Sequence, residues 1–191
     1  MKFRILRSIP RRFLVCLAVL TALTMPRAAA AQDERGNVAL GYNYGYLFSP
    51  NGGPGLSLPT GVFVSAGEWT GRGTLLVGEL AESHTSVGGG ADDLTFTGGL
   101  RFMARRPYRR RVAPRAFAEI LLGGARLSGS AGGSEVGAST ALALQPGVGV
   151  DAPVGYRTAL RIEGHYDIYH NGGGTAYAFR LDIGLAFRFG P

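Results

Sequence analysis

The chain has 191 residues, with 20 basic and 13 acidic side chains, 31 glycines and a single cysteine. Six of the basic residues (Lys2, Arg4, Arg7, Arg11, Arg12 and Arg27) and Cys16 lie before Gln32, where no acid occurs, so the remainder holds 14 basic against 13 acidic residues, net +1. That balance removes the support overall basicity would lend to a nucleic-acid partner. With the single cysteine before Gln32, thiol chemistry is excluded from the rest, and glycine without a triplet period excludes a collagen-like chain.

Residues 1–31 read as a cleaved signal peptide. The basic segment precedes the apolar run FLVCLAVLTALTM (Phe13 to Met25), and Ala29-Ala30-Ala31 supplies small residues for cleavage. The run is shorter than the roughly 20 residues a membrane-spanning helix requires. Val15 before Cys16 is not small, which argues against a lipoprotein signal. Residues 32–191 are enough for one domain.

From Asn37 onward the chain alternates with a period of two, the mark of β-strands with two unlike faces. In NVALGYNYGYL, Val38, Leu40, Tyr42, Tyr44 and Tyr46 alternate with Ala39, Gly41, Asn43 and Gly45. TGVFVSAGEW is a second strand of ambiguous parity, because Val62 and Val64 compete with Phe63 and Trp69. GTLLVGELAES sets Glu79 opposite Leu76 and Leu80. DDLTFTGGLRFM sets Leu94, Phe96, Leu100 and Phe102 against Thr95, Thr97, Gly99 and Arg101.

PRAFAEILLGG places Ala116, Ala118, Ile120 and Leu122 opposite Arg115, Phe117 and Glu119. STALALQPGVGVD places Leu142, Leu144, Val148 and Val150 opposite Ala141, Ala143, Gln145 and Gly149, and Pro146 predicts a bulge or an early end. GYRTALRIEGHYDIYH sets Leu160, Ile162, Tyr166 and Ile168 against Arg161, Glu163, His165 and Asp167. The last strand, TAYAFRLDIGLAFRFGP, alternates Tyr177, Phe179, Leu181, Ile183, Leu185, Phe187 and Phe189 with Ala178, Arg180, Asp182, Gly184, Ala186 and Arg188.

Long Gly- and Ser-rich connections are expected after odd-numbered strands and shorter or basic ones (TGRG, RRPYRRR, APVG) after even-numbered strands. The pattern predicts an all-β, eight-stranded antiparallel up-and-down barrel. The facing decides its solvent. A soluble, lipocalin-like barrel would put the apolar face inside. Here the apolar face is long and rich in aromatics, while the other mixes charge with glycine and alanine. That arrangement suits a transmembrane barrel, apolar outward and polar in the lumen. Strands cross a bilayer only as a closed barrel, because every backbone polar group must be paired internally.

On these eight segments and the terminal AFRLDIGLAFRF, the sequence resembles the small eight-stranded outer-membrane β-barrel families, including the membrane domain of outer membrane protein A and the opacity-like, porin-family barrels. The resemblance implies location in the bacterial outer membrane, contact with its lipid and lipopolysaccharide, and assembly by the barrel-assembly machinery. It also implies that Phe187 and Phe189 act as the assembly signal, although Gly190 and Pro191 follow the final aromatic. A monomer is expected.

A barrel of this size is filled by side chains. The expected lumen charges are Arg101, Arg115, Arg161, Arg180 and Arg188 against Glu79, Glu119, Glu163, Asp167 and Asp182, with His165 as a hydrogen-bonding neighbour. Selective pores carry rings of one sign, so a balanced set predicts a structural plug network. In it, Arg161 and Glu163 are expected to meet Arg180 and Asp182 across the neighbouring ladder. A narrow non-specific pore is the alternative.

Some small barrels are lipid A deacylases, and His165-Tyr166-Asp167 is similar to their His-x-Ser region, but Asp167 stands where that resemblance requires the nucleophilic serine. No nucleophile, base and orienting acid converge in the sequence, and no metal-ligand spacing appears. No catalysis, cofactor or metal is expected. The function expected is structural or surface interaction.

Overall fold

The computed structural model describes residues 35–49, 55–71, 73–86, 90–104, 113–131 and 134–190. The signal peptide, its cleavage site and the arginines of RRPYRRR lie outside these residues. Eight strands follow one another: β1 (Gly36–Leu47), β2 (Leu56–Gly71), β3 (Thr74–Thr85), β4 (Ala91–Met103), β5 (Arg115–Ala131), β6 (Ser134–Pro153), β7 (Thr158–Asn171) and β8 (Gly174–Phe189). Each pairs antiparallel with the next, and β1 pairs with β8 to close the barrel. Closure leaves no free sheet edge among the described strands, so backbone polar groups pair between neighbours along most of the wall.

The strict alternation becomes a two-faced wall. Leu40, Leu76, Phe96, Ile120, Leu142, Val148, Ile162, Ile183 and Phe187 all point outward and are exposed, Phe96 by 70%. Aromatic rings gather outside on one sector: Tyr46 and Phe48 lie 5.3 Å apart edge to face, and Tyr166 stacks with Tyr177 at 6.0 Å. Such rings suit the boundary between hydrocarbon and water. At the other end Tyr156, in the β6–β7 turn, is 93% exposed.

The ambiguity in β2 resolves with Val62 outward and Phe63 buried in the lumen. Trp69 shares that inward parity and packs beside Leu75, Val77, Met103, Phe117 and Leu121. A second apolar cluster joins Phe63 to Ala39, Ala81, Ala159 and Ala186, and a third surrounds Tyr169 with small alanines. The lumen therefore holds apolar as well as charged side chains.

Two expectations about the backbone are corrected. Pro146 does not end β6. Its pairing with β5 continues through Ile120, while the β7 ladder skips from Leu144↔Ile168 to Gly147↔His165 without changing register. The missing proline N–H interrupts one ladder only. The connections also depart from the long-short alternation, because much of the Gly/Ser-rich sequence is strand. β5 and β6 are separated only by Gly132 and Gly133, whereas β4 and β5 are joined through residues 104–114.

Glycine permits the barrel seam. Gly41 and Gly184 face each other across β1 and β8, and a Cβ on Gly41 would lie 2.2 Å from the Ile183 carbonyl oxygen. At the β2–β3 turn Gly73 adopts φ +121°, a conformation that L side chains rarely take.

Candidate functional site in the barrel lumen

The inward parity of β3 to β8 delivers a dense charge network to the lumen. Among the described residues, the buried guanidiniums are Arg101, Arg161 and Arg180, and the buried carboxylates are Glu79, Asp93, Glu119, Asp151, Glu163, Asp167 and Asp182. Arg101 and Arg161 are 0% exposed. Charges so deep persist only when paired and hydrogen-bonded.

Arg101 shares a rung of the β4–β5 ladder with Glu119 and donates through Nε to its Oε2 at 2.7 Å. Its Nη2 reaches Glu163 Oε2 on β7 at 3.1 Å, so this one side chain links separate walls. Arg161 shares a rung with Asp151 and grips both its oxygens, Nε to Oδ1 at 2.7 Å and Nη2 to Oδ2 at 3.0 Å. Two parallel bonds of this kind fix direction as well as charge. Arg180 on β8 reaches Glu79 on β3, Asp182 Oδ2 at 3.1 Å and Thr95 Oγ1 at 3.2 Å.

Phe117 lies among these cations. The Arg101 and Arg161 guanidinium carbons sit 4.4 Å and 5.1 Å from its ring centre, contacts that attract a cation to the ring face. Gly149, its partner on β6, makes the room, since a Cβ there would lie 2.4 Å from the ring. His165 is buried beside Gly147, with Nε2 3.4 Å from Asp182 Oδ2 and 3.6 Å from Glu119 Oε1, yet neither ring nitrogen makes a hydrogen bond. Its nearest polar neighbours are thus carboxylates, at the edge of hydrogen-bond range.

Of the residues expected in the lumen, Glu79, Arg101, Glu119, Arg161, Glu163, His165, Asp167, Arg180 and Asp182 are buried there. Arg115 and Arg188 are not. Each is half-buried where the lumen opens, Arg115 at the start of β5 and Arg188 near the end of β8, and Arg115 donates to the Ala104 carbonyl at 3.0 Å and stacks on Trp69 at 4.8 Å. Arg188 pairs in register with Asn37 at the same end. Near a strand terminus an inward side chain meets the open mouth rather than the packed interior.

The expected pairing of Arg161 and Glu163 with Arg180 and Asp182 across β7–β8 is also corrected. Register sets Glu163 opposite Asp182, carboxylate against carboxylate, His165 opposite Arg180 and Arg161 opposite Gly184. The β7–β8 ladder therefore offers neither arginine a carboxylate on its own rung: Arg161 pairs with Asp151 on β6, and Arg180 reaches across the lumen to Glu79 and along its own strand to Asp182.

Several lumen groups were missed. Asp151 continues the parity of Ala143, Gln145 and Gly149, but lies beyond Pro146. Asp93 and Tyr169 extend the Thr95 and Asp167 parities by two residues, and the Tyr169 hydroxyl donates to Asp93 at 2.6 Å and lies 3.2 Å from Asp167. Asn43 donates to the Val62 and Glu82 carbonyls at 3.0 and 3.2 Å and accepts from Ser83 at 2.8 Å, bridging three strands beside the register shift of the β1–β2 pair. With Asp93 and Asp151 inside and Arg115 and Arg188 at the mouth, the expected charge balance becomes an acidic excess.

Four of these groups, Glu79, Glu163, His165 and Asp182, each bring one potential metal-ligand atom to within 4.8 Å of the others. They come from β3, β7 and β8, so no sequence spacing announces them. The other histidines are exposed near the opposite mouth: His84 Nδ1 is 2.6 Å from Asp92 Oδ1, and His170 Nδ1 is 3.1 Å from Thr175 Oγ1.

No known sequence family and no curated relative matches the chain. Its fold is similar to that of Neisserial surface protein A at 13% identity, covering 81% of this chain and 97% of that one with a TM-score of 0.67. It is also similar to Ail, the attachment invasion locus protein of Yersinia pestis, at 13% identity, covering 83% and 100% with a TM-score of 0.60. The N-terminal β-barrel domain of Pseudomonas aeruginosa OprF matches at 15% identity over 82% and 100% with a TM-score of 0.53. The fold is that of the small eight-stranded outer-membrane barrels.

Proposed function

We propose that this chain, with the fold of the small outer-membrane barrels, is an integral outer-membrane protein whose lumen is closed by its own side chains. It acts in membrane structure or surface interaction, without catalysis. The observation that carries this reading is the bridge through the lumen, Glu119 to Arg101 to Glu163, joining β5, β4 and β7. Arg180 makes a second bridge between β8 and β3. Together with Phe63 and Phe117 these groups occupy the space that a conducting path needs.

The outward apolar face meets lipid and lipopolysaccharide, and the barrel works as a monomer. Assembly runs through the barrel-assembly machinery, which reads Phe187 and Phe189 at the end of β8. Two of the structural neighbours are named for a place at the surface or in attachment. By analogy, contact with other surfaces would fall to the connections β1–β2, β3–β4, β5–β6 and β7–β8. Absence of catalysis rests on the chemistry around His165, whose buried contacts are carboxylates rather than a nucleophilic hydroxyl.

The test is a pair of measurements on protein extracted in detergent. Heat-dependent gel migration with no discrete conductance in planar bilayers is expected. Regular conductance steps from folded protein would replace the closed lumen with a narrow pore, and heat-independent migration would reject the membrane barrel.

A further inference from the structure

The arginines of the lumen leave a specific set of acceptors free. Glu79 uses Oε1 on Arg180, and its Oε2 has no hydrogen-bond partner. Glu163 uses Oε2 on Arg101, and its Oε1 has none. Asp182 uses Oδ2 on Arg180, and its Oδ1 has none. Both nitrogens of His165 are likewise unpartnered, in a side chain that is buried. Buried polar atoms are ordinarily satisfied, and here five unpartnered atoms of kinds that ligate metals sit on four neighbouring side chains, which points to a shared partner.

We propose that Glu79, Glu163, His165 and Asp182 form a binding site for a single divalent first-row cation, of the Zn²⁺ or Mn²⁺ type, inside the barrel. The ligand atoms lie within 4.8 Å of one another, so modest side-chain rotation brings them to the roughly 2.0–2.2 Å bonds such an ion forms with imidazole and carboxylate. One imidazole among three carboxylates suits a borderline ion more than Ca²⁺, which prefers oxygen alone. Arg180 holds one oxygen of Glu79 and one of Asp182, and Arg101 one of Glu163, which restricts these side chains as outer partners do around protein-bound metals.

The charge balance points the same way. Among the described residues, seven buried carboxylates surround three buried guanidiniums. A bound dication offsets part of that excess where water does not reach. The site goes beyond the proposed function and does not depend on it, because the ligands converge whether or not the lumen conducts.

The test uses untagged protein extracted from membranes, loaded with Zn²⁺ or with Mn²⁺, desalted and assayed for metal by mass spectrometry. About one equivalent per folded chain is expected. His165→Gln and Asp182→Asn should each weaken retention by roughly tenfold or more, the scale on which even outer-partner losses act. Asp151→Asn, in the lumen but outside the cluster, should keep the metal, which separates ligation from general damage to the plug. If the cluster variants do not fold, His84→Gln/His170→Gln leaves His165 as the only imidazole, and Cu²⁺ loaded into that protein should show nitrogen hyperfine coupling. Folded protein that retains neither Zn²⁺ nor Mn²⁺, His165→Gln that retains metal as the parent does, or a copper signal without nitrogen coupling would each overturn the proposal. Conductance is read separately, so a missing metal and an open lumen give different results.

Discussion

Glu163 on β7 and Asp182 on β8 stand directly opposite each other on one rung of the lumen-facing ladder, two buried carboxylates in register. The rung holds because Arg101 reaches Glu163 from β4 and Arg180 takes Asp182 from the same strand. Stability of this charge network thus rests on partners brought from distant walls. Removing one partner leaves a buried charge uncompensated, whereas removing both leaves an apolar gap.

The clearest case is Asp151 with Arg161. Asp151→Leu alone should destabilise the barrel by about 3–5 kcal/mol, because it strands a buried guanidinium. Asp151→Leu/Arg161→Leu should recover part of that loss. Urea unfolding in lipid vesicles measures both, and equal losses would show that the pair contributes nothing as a pair.

Depth governs the outer face. Phe96, well inside β4, should tolerate arginine poorly, at about 2–4 kcal/mol, while arginine at Phe102, next to the end of the strand, should cost roughly 0–1 kcal/mol. Folding equilibria in vesicles compare the two. Similar costs at both positions would remove the lipid belt from that face.

Closure depends on Gly41 and Gly184. Gly41→Val would drive a side chain into the Ile183 carbonyl, so the folded, fast-migrating form should be lost or form slowly. Gly78→Ala, with nothing within 4 Å of the added carbon, should fold as the parent does. Gel migration before and after boiling reads both variants.

Phe189→Ser separates assembly from stability. Because Phe189 is outward at the end of β8, its loss should lower the amount of barrel reaching the outer membrane of a Gram-negative host. Unfolding of purified protein should change little. Normal amounts in the membrane would remove Phe189 from the assembly signal.

The facing of most strands was legible because a period of two is local. Ile183 and Asp182 declare their sides by alternation alone. β2 was not legible, because its inward Phe63 and Trp69 are as apolar as its outward side chains, erasing the contrast between faces. Asp151 was hidden behind Pro146, whose missing donor breaks only the β7 ladder. Arg115 and Arg188 share the right parity, but parity does not report depth along the barrel axis. The partners of Arg101 and Arg180 were out of reach, since they depend on the stagger of strands around the closed sheet. A metal site built from β3, β7 and β8 leaves no spacing to read.

The central claim is the facing of the wall, and β8 tests it most directly. Cys16, the single cysteine, lies in the segment read as signal, so one spin label can be placed in turn at each position from Tyr177 to Phe187. Collision with oxygen, which partitions into lipid, should alternate along the strand, high at Phe179, Ile183 and Phe187 and low at Arg180 and Asp182. A flat profile, or one with oxygen favouring Arg180 and Asp182, would contradict the account.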